Sequence, residues 1–456
     1  MVKNKDKMKL EIDENSRNYA ATIVEIQNIY DIPGADKIKR TNVLGNDVVV
    51  GLDTKVGDRF IYFVAGTRLN EDYCKFNNLY SDKELNRDNT VSGYLSPKQS
   101  RIRAIKLKSV ISDGILLPLS SIWALDNVNL VEFKVGDTFT TINGFKLCEK
   151  YIVPSARNSD PGGKAPKQPL RISRLVEGQF YLHNDTDNLR RNIHKINPND
   201  IIGIHYKKHG SSFVAGNVLV KKELTWLEGL AKKLGIKVTD TKYDIVYSSR
   251  KVVKNQYLNA EAGSGYYGED IWGVVAKEVG HLIPKNWTLY GEIMGYTPSG
   301  NPIQGKYDYG CQVGQHKFYV YKISVVNPDG KVIYLTDKQI EDWCEKFGLR
   351  FKDTFIYYGT AKDHFNILEK KYFDNTPLTT PTWEDRYLQF LEKEYNEKDC
   401  YMCVNKVPEE GIVLRVERLE QYEAYKLKSK RFLLMESDEQ ENNLVNLEDN
   451  QDDEQN

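Results

Sequence analysis

Residues 154–169 (PSARNSDPGGKAPKQP) divide this chain. Four prolines and two glycines in that stretch oppose both a helix and a β-ladder. The chain is therefore predicted to fold as two units joined by a linker, and 456 residues that are 40% hydrophobic can fill both cores.

Ahead of the linker, Ala20 to Ser120 reads as short strands separated by turns. Thr22–Tyr30 is β-rich, Pro33-Gly34-Ala35-Asp36 makes a turn, and Val48-Val49-Val50, Phe60–Val64 and Ile115–Leu119 are further strands. About five short strands in roughly 100 residues predict a small barrel, and the OB type is the common barrel that meets nucleic acid. Arg101, Arg103, Lys106 and Lys108 interleave with Ile102, Ile105 and Leu107, with a change of phase at Ala104 that predicts a bulge. These four cations are candidate nucleic-acid contacts; the alternative is a strand edge guarded by charge.

Charge supports a phosphate-bearing partner once its distribution is considered. Lysine plus arginine equals aspartate plus glutamate, 64 each, but residues 436–456 hold nine acidic residues and no basic one. The rest of the chain has 64 basic residues against 55 acidic. The acidic stretch lacks aromatics and reads as a disordered tail. Twenty-nine tyrosines offer rings that can stack on bases or simply pack in sheets. Six dispersed cysteines and a polar start at Met1–Asn15 predict a cytoplasmic protein with reduced thiols. No apolar run approaches the roughly 18 residues of a membrane span. Cys400-Tyr401-Met402-Cys403 has metal-like spacing but no second ligand pair nearby, so a plain turn is expected.

Beyond the linker, Leu170 to Leu434 mixes apolar strands with helices predicted at Leu224–Leu234 and Asp337–Phe347. Within it, Ile201–Lys207 alternates with period two, placing Lys207 with His205 and Gly203 opposite Ile202, Ile204 and Tyr206. A lysine at a strand end, followed by Lys208-His209-Gly210, sits at a pocket edge. To attack as a nucleophile it must be neutral, a state that about one free lysine in 10³ occupies at pH 7. Lys426 and Lys428 share one strand face and can grip phosphates. Glu292 ends the apolar run Trp287–Gly291, where it can bind a ribose hydroxyl, and Glu410 precedes the strand Ile412–Val416, where it can hold a divalent cation. Tyr321, with Tyr319 and Ile323 expected on its face, offers a platform for a purine. Arg250 is a candidate for phosphate or ribose. Each of these residues alone reads equally well as a surface charge or core ring.

In this order and spacing the fragments resemble the covalent nucleotidyltransferases, specifically ATP-dependent RNA ligases. Lys207-Lys208-His209-Gly210-Ser211-Ser212 is similar to the family's nucleophile motif in its RNA-ligase form. The resemblance implies that Lys207 carries AMP, with His209, Gly210, Arg250, Glu292, Tyr321, Lys426 and Lys428 binding the nucleotide. Tyr321 would stack on adenine, Glu292 would contact ribose and Glu410 would support Mg2+ or Mn2+. The implied catalytic set is Lys207, Glu410, Lys426 and Lys428. Two departures stand out. Lys322 occupies a position where many such ligases have aspartate, and Val220–Asp244 lengthens the interval between Lys207 and Arg250. A barrel ahead of the transferase domain is similar to the Deinococcus-type nick-sealing RNA ligases.

The implied fold is α+β: an N-terminal OB-type barrel over residues 1–153, the linker 154–169, an adenylyltransferase (ATP-grasp-like ligase) domain of antiparallel sheets with helices over 170–435, and a tail over 436–456. The implied function is a monomeric RNA ligase that uses ATP to join a 3′-hydroxyl to a 5′-phosphate, at nicks in duplexes, in RNA repair. DNA ligases and capping enzymes share the lysine chemistry but usually place an OB domain after the last lysine motif. A non-catalytic reading also exists, because Pro33-Gly34-Ala35-Asp36-Lys37 and Ser112-Asp113-Gly114-Ile115-Leu116 resemble tRNA-binding OB modules; retention of the motif lysines and glutamates disfavours it.

Overall fold

The computed structural model describes residues 8–153, 175–254, 267–372 and 382–441, apart from 124, 126, 127, 129, 184, 251 and 328. The linker 154–169 and the tail beyond residue 441 lie outside the described residues.

Alternating apolar residues build the N-terminal barrel. Ala21–Glu25 pairs with Arg59–Phe63, which pairs with Ile115–Pro118, all antiparallel. Ile38–Val43 and Asn46–Gly51 form a hairpin whose Val48 points inward. Ile23, Ile61, Phe63, Ile102, Leu117 and Phe139 close one core with no or little exposure. The strands Arg59–Phe63 and Ile115–Pro118 fall within a residue of the predicted bounds, and Val48–Val50 lies inside Asn46–Gly51. The β-rich stretch Thr22–Tyr30, in contrast, is a strand only to Glu25 and resumes at Tyr30–Asp31. The turn at Gly34, with a φ of +73°, suits glycine. The basic stretch becomes a tight hairpin, Ala104–Leu107 against Val110–Asp113, with Lys108 at φ +56° in its turn.

Two sheets form the second domain. The first has the strand order Asp187–Asn188, Glu423–Lys428, Gly411–Val416, Ile201–Lys207, Phe355–Thr360, antiparallel except for the first pair. Ile202, Ile204, Ile412, Leu414 and Leu427 pack outward against the helices Ala361–Tyr372 and Trp383–Leu391. The second sheet runs Val253–Lys254, Thr241–Ser248, Ser211–Lys221, Trp287–Gly295, His316–Val326, Val332–Tyr334, antiparallel throughout. Phe213, Ala215, Leu289, Ile293, Phe318 and Ile323 cover its outer core with the helices Ile271–Val279 and Asp337–Phe347. Because side chains alternate along a strand, the intervening residues of both sheets face a common cleft.

The helix Asp337–Phe347 has the predicted bounds, set by a Thr336/Gln339 capping box and by Gly348 at φ +66°. The other predicted helix is Trp226–Lys233, begun by a Thr225/Glu228 capping box. The tail expectation is corrected at its start: residues 436–441 belong to the helix Lys430–Glu441, which packs against the barrel and so is ordered by tertiary contacts. No helix among the described residues is long and apolar enough to cross a membrane.

Candidate active site

The loop Lys208-His209-Gly210 is the crossing from one sheet to the other. Ile201–Lys207 ends the first sheet's central strand and Ser211 starts a strand of the second, so Lys207 stands where the sheets meet. Gly210 is required there: an added Cβ would lie 2.3 Å from the Ile293 carbonyl oxygen. Its N–H donates to Glu292 Oε1 at 3.0 Å, and the His209 N–H donates to the Tyr309 hydroxyl at 2.7 Å.

Lys207 Nζ lies 2.8 Å from Glu410 Oε1. The lysine side chain is 19% exposed and the glutamate 2%, so the ammonium reaches the cleft while the carboxylate is buried behind it. The cleft is lined by Lys207, Arg250, Glu292, Tyr321, Lys426 and Lys428, which are up to 221 residues apart in sequence. Arg250 pairs with Asp185, and the Tyr321 hydroxyl meets His183 Nδ1 at 2.8 Å.

The two strand-mate lysines are shifted in opposite directions. Burial, followed by the cations Lys428, Arg250, Lys150 and Lys207, drives Lys426 far below the ordinary lysine range. Burial acts on Lys428 in the same direction but loses to the carboxylates of Glu436 and Glu410, which hold it above that range. Glu436 contacts Lys428 Nζ at 2.9 and 3.1 Å.

A family model described as RNA ligase matches residues 207–430, and an OB-fold domain model matches residues 20–119. The chain carries an RNA ligase domain behind an OB-fold domain. Comparison with curated proteins gives no match. Among solved structures, Naegleria gruberi RNA ligase with PPi is 18% identical, covering 94% of this chain and 100% of that one, at a TM-score of 0.55. A mutant of the same ligase with ATP and Mn is 18% identical over 92% and 99% of the chains, at 0.56. A lysine-to-methionine mutant with AMP and Mn is 18% identical over 91% and 97%, at 0.53. These likenesses establish a shared α+β fold.

Within the ligase domain, the site residues found in the sequence divide into two groups. Lys207, Arg250, Glu292, Tyr321, Lys426 and Lys428 line the cleft, and Glu410 touches it through Lys207. His209 and Gly210 are not among the lining residues. The His209 ring packs edge-on against Tyr307 and Phe432, 5.1 Å between centroids in each case, and supports the loop from behind. The expected face of Tyr321 needs correction. A register shift lets Tyr290 pair with Lys322 and Gly291 with Val320, so Tyr321 falls in a bulge. Ile323 consequently joins Val320 in the outer core, while Tyr319 and Tyr321 line the cleft.

The basic stretch of the OB domain is also corrected. Arg101 is 2% exposed, donating to Gln440 Oε1 at 2.5 Å and to the Ser437 carbonyl at 2.9 Å. Arg103 pairs with Glu441. The last helix therefore takes up these two arginines, leaving Lys106 and Lys108 exposed on the hairpin. Sequence reasoning missed His183, Asp185, Lys150, Arg190 and Glu436, all lining the cleft. The dibasic Arg190-Arg191 was a visible signal; the others lie in segments without periodicity. Lys322 is buried, with its ammonium 3.6 Å from the centroid of the Tyr290 ring, and burial, with Arg415 adding to it, lowers it to about 7.

Proposed function

We propose that this chain is an ATP-dependent RNA ligase joining an RNA 3′-hydroxyl to a 5′-phosphate at duplex nicks, through lysyl-AMP and an AMP-capped RNA end. The observation that carries this reading is the Lys207–Glu410 contact at the edge of a cleft lined by Arg250, Glu292, Tyr321, Lys426 and Lys428. The Naegleria ligase structures with ATP, AMP, PPi and Mn support the same nucleotide and metal class.

The Lys207 amine attacks the α-phosphorus of ATP, an N–P bond forms and pyrophosphate departs. Lys428, a fixed cation, and Arg250 bind phosphate oxygens, while Glu292 takes a ribose hydroxyl and the Tyr321 ring supports adenine. AMP then passes to the RNA 5′-phosphate, and the 3′-hydroxyl displaces AMP to close the phosphodiester. In each step the protein chiefly positions groups and offsets charge.

Glu410 fits a divalent cation, because its Oε2 is buried with no hydrogen-bond partner among the described residues. Among the described residues no group of three or more His, Cys, Asp or Glu side chains forms a metal site there, so phosphate oxygens and water would complete the shell of Mg2+ or Mn2+. The bound ion would neutralise charge on the transferred phosphate. Lys106 and Lys108 remain as exposed cations of the OB domain for the RNA backbone.

The test is incubation with labelled ATP or GTP and a divalent metal, after any bound AMP has been stripped, followed by denaturing electrophoresis. ATP should leave an acid-labile, alkali-stable label on Lys207. No label would sink the reading, and label from GTP alone would point to a capping-type enzyme.

A further inference from the structure

The motif that this reaction leaves unused is Cys400-Tyr401-Met402-Cys403. The Cys403 N–H donates to the Cys400 carbonyl at 3.3 Å, an i to i+3 bond that defines a β-turn. Such a turn brings its end Cα atoms within about 7 Å, and a disulfide spans roughly 4.4–6.8 Å between Cα atoms. The backbone thus already approaches the geometry of a closed pair. Flanking bonds hold it there: the Cys400 N–H donates to the Val407 carbonyl at 2.8 Å, and Asp308 accepts the N–H groups of Val404 at 3.0 Å and Asn405 at 3.1 Å.

The pair differs from the three fully buried cysteines. All six cysteines are free thiols, and burial pushes Cys74, Cys148 and Cys344 up to about 12. The hydrogen bond between the two thiols lowers Cys400, with the Lys208 ammonium adding to it against burial, and raises Cys403, so Cys403 holds the proton and Cys400 is the base that can take it. Cys400 is buried whereas Cys403 is half-buried, beside exposed Tyr401 and Val404, so a reagent reaches the pair from the Cys403 side. Lys208 also lies 4.9 Å from the Tyr401 ring and 3.4 Å from Glu409. The turn therefore supports the residue next to Lys207.

We propose that Cys400 and Cys403 are a redox-active dithiol that closes into a disulfide by exchange with a low-molecular-weight disulfide, and that closure slows the chemistry at Lys207. Cys403 sulfur attacks the reagent RSSR as its proton passes to Cys400, and RS− leaves. That thiolate takes the proton, Cys400 sulfur displaces the second RS−, and the S–S bond forms. The two cysteines lose two electrons, which the reagent gains as two thiols. Closure draws the two sulfurs to about 2.05 Å and tightens the turn that carries Tyr401, whose ring lies 4.9 Å from Lys208 Nζ. Movement of Tyr401 shifts Lys208, and misplacement by about 1 Å near a reacting group can cost as much as 10²-fold in rate.

The experiment equilibrates the full chain with reduced and oxidised glutathione, traps thiols by alkylation and maps peptides by mass spectrometry. We expect two of the six thiols to disappear together as a Cys400–Cys403 cross-link, with ATP labelling slowed severalfold and restored by dithiothreitol. Cys403→Ser, at a half-buried position, should form no such cross-link and should label at one rate in both buffers; Cys403→Ala is the substitute if the serine variant folds poorly. Free alkylation of both thiols in oxidised buffer would overturn the proposal, as would a cross-link that leaves labelling unchanged. Thiol mapping needs no catalysis, so its outcome is separate from whether Lys207 accepts AMP.

Discussion

Lys207 and Glu410 are linked twice: their side chains meet at 2.8 Å, and Lys207 stands opposite Gly411, the neighbour of Glu410, in the strand ladder. The ladder fixes the contact, so removing either side chain leaves the other's backbone in place. Lys207→Ala should abolish labelling by ATP yet seal a nick whose 5′ end is already adenylylated, because that substrate no longer needs the amine. Glu410→Gln should slow both reactions by about 10²-fold or more, since it removes charge stabilisation common to every transfer. Single-turnover sealing of both nick types, with folding checked by melting, distinguishes the variants. Parent rates from a folded Glu410→Gln protein would return Glu410 to a structural role.

The Gly210 environment gives a sharper steric test. In Gly210→Ala the new Cβ would meet the Ile293 carbonyl at 2.3 Å and Glu292 Cγ at 2.9 Å. The loop must shift, and labelling should fall by about 10²-fold, consistent with the sensitivity of a nucleophile to position. A Cβ added at Gly229, within the helix Trp226–Lys233, would have nothing within 4 Å. Gly229→Ala should therefore stabilise the protein by about 0.5–1 kcal/mol and leave labelling unchanged. Denaturant titration and the labelling assay on both variants check the contrast.

The barrel cations should separate into two classes. Arg101→Ala strands the buried Ser437 carbonyl and Gln440 amide, so it should cost about 2 kcal/mol and lower the melting temperature. Lys106→Ala and Lys108→Ala should barely affect melting. If each contacts a phosphate, each should flatten the salt dependence of nick binding by about 0.9 for B-form DNA, with a comparable trend for RNA. An unchanged slope would make them a charged hairpin edge and nothing more.

The same contacts explain what is legible in the sequence. Period-two alternation over Ile201–Lys207 depends on local geometry, so the lysine's place at a strand end can be read directly. The helix Asp337–Phe347 is equally visible, because capping and a C-terminal glycine are local signals. The burial of Arg101 is not legible, because its partners lie more than 330 residues away, beyond anything periodicity encodes. Strict alternation puts Ile323 on the face of Tyr321, but one bulged residue reverses every side chain after it. Asp185 and His183 are invisible: they acquire meaning only by touching Arg250 and Tyr321 across the cleft.

Lys322 supplies the last prediction. It is 5% exposed and lies among Tyr290, Tyr334 and Tyr422, and its value of about 7 falls below the ordinary 10.5 through burial first and Arg415 second. The sign follows from proton uptake. Above about 10.5 the amine is neutral whether folded or unfolded and carries no penalty. As pH falls from there towards 7, the unfolded chain binds a proton that the folded protein refuses, so stability is lost; below 7 both states are protonated and the loss stops growing. At 1.36 kcal/mol per unit, the full penalty is roughly 4–5 kcal/mol. Lys322→Met removes the titrating group and places a flexible thioether among the rings. Its stability advantage should be small near pH 10, rise as pH is lowered and level off below pH 7. Denaturant unfolding of parent and variant across that range measures the difference. A difference that does not vary with pH would mean that Lys322 remains charged among its tyrosines, held there by interactions stronger than its desolvation.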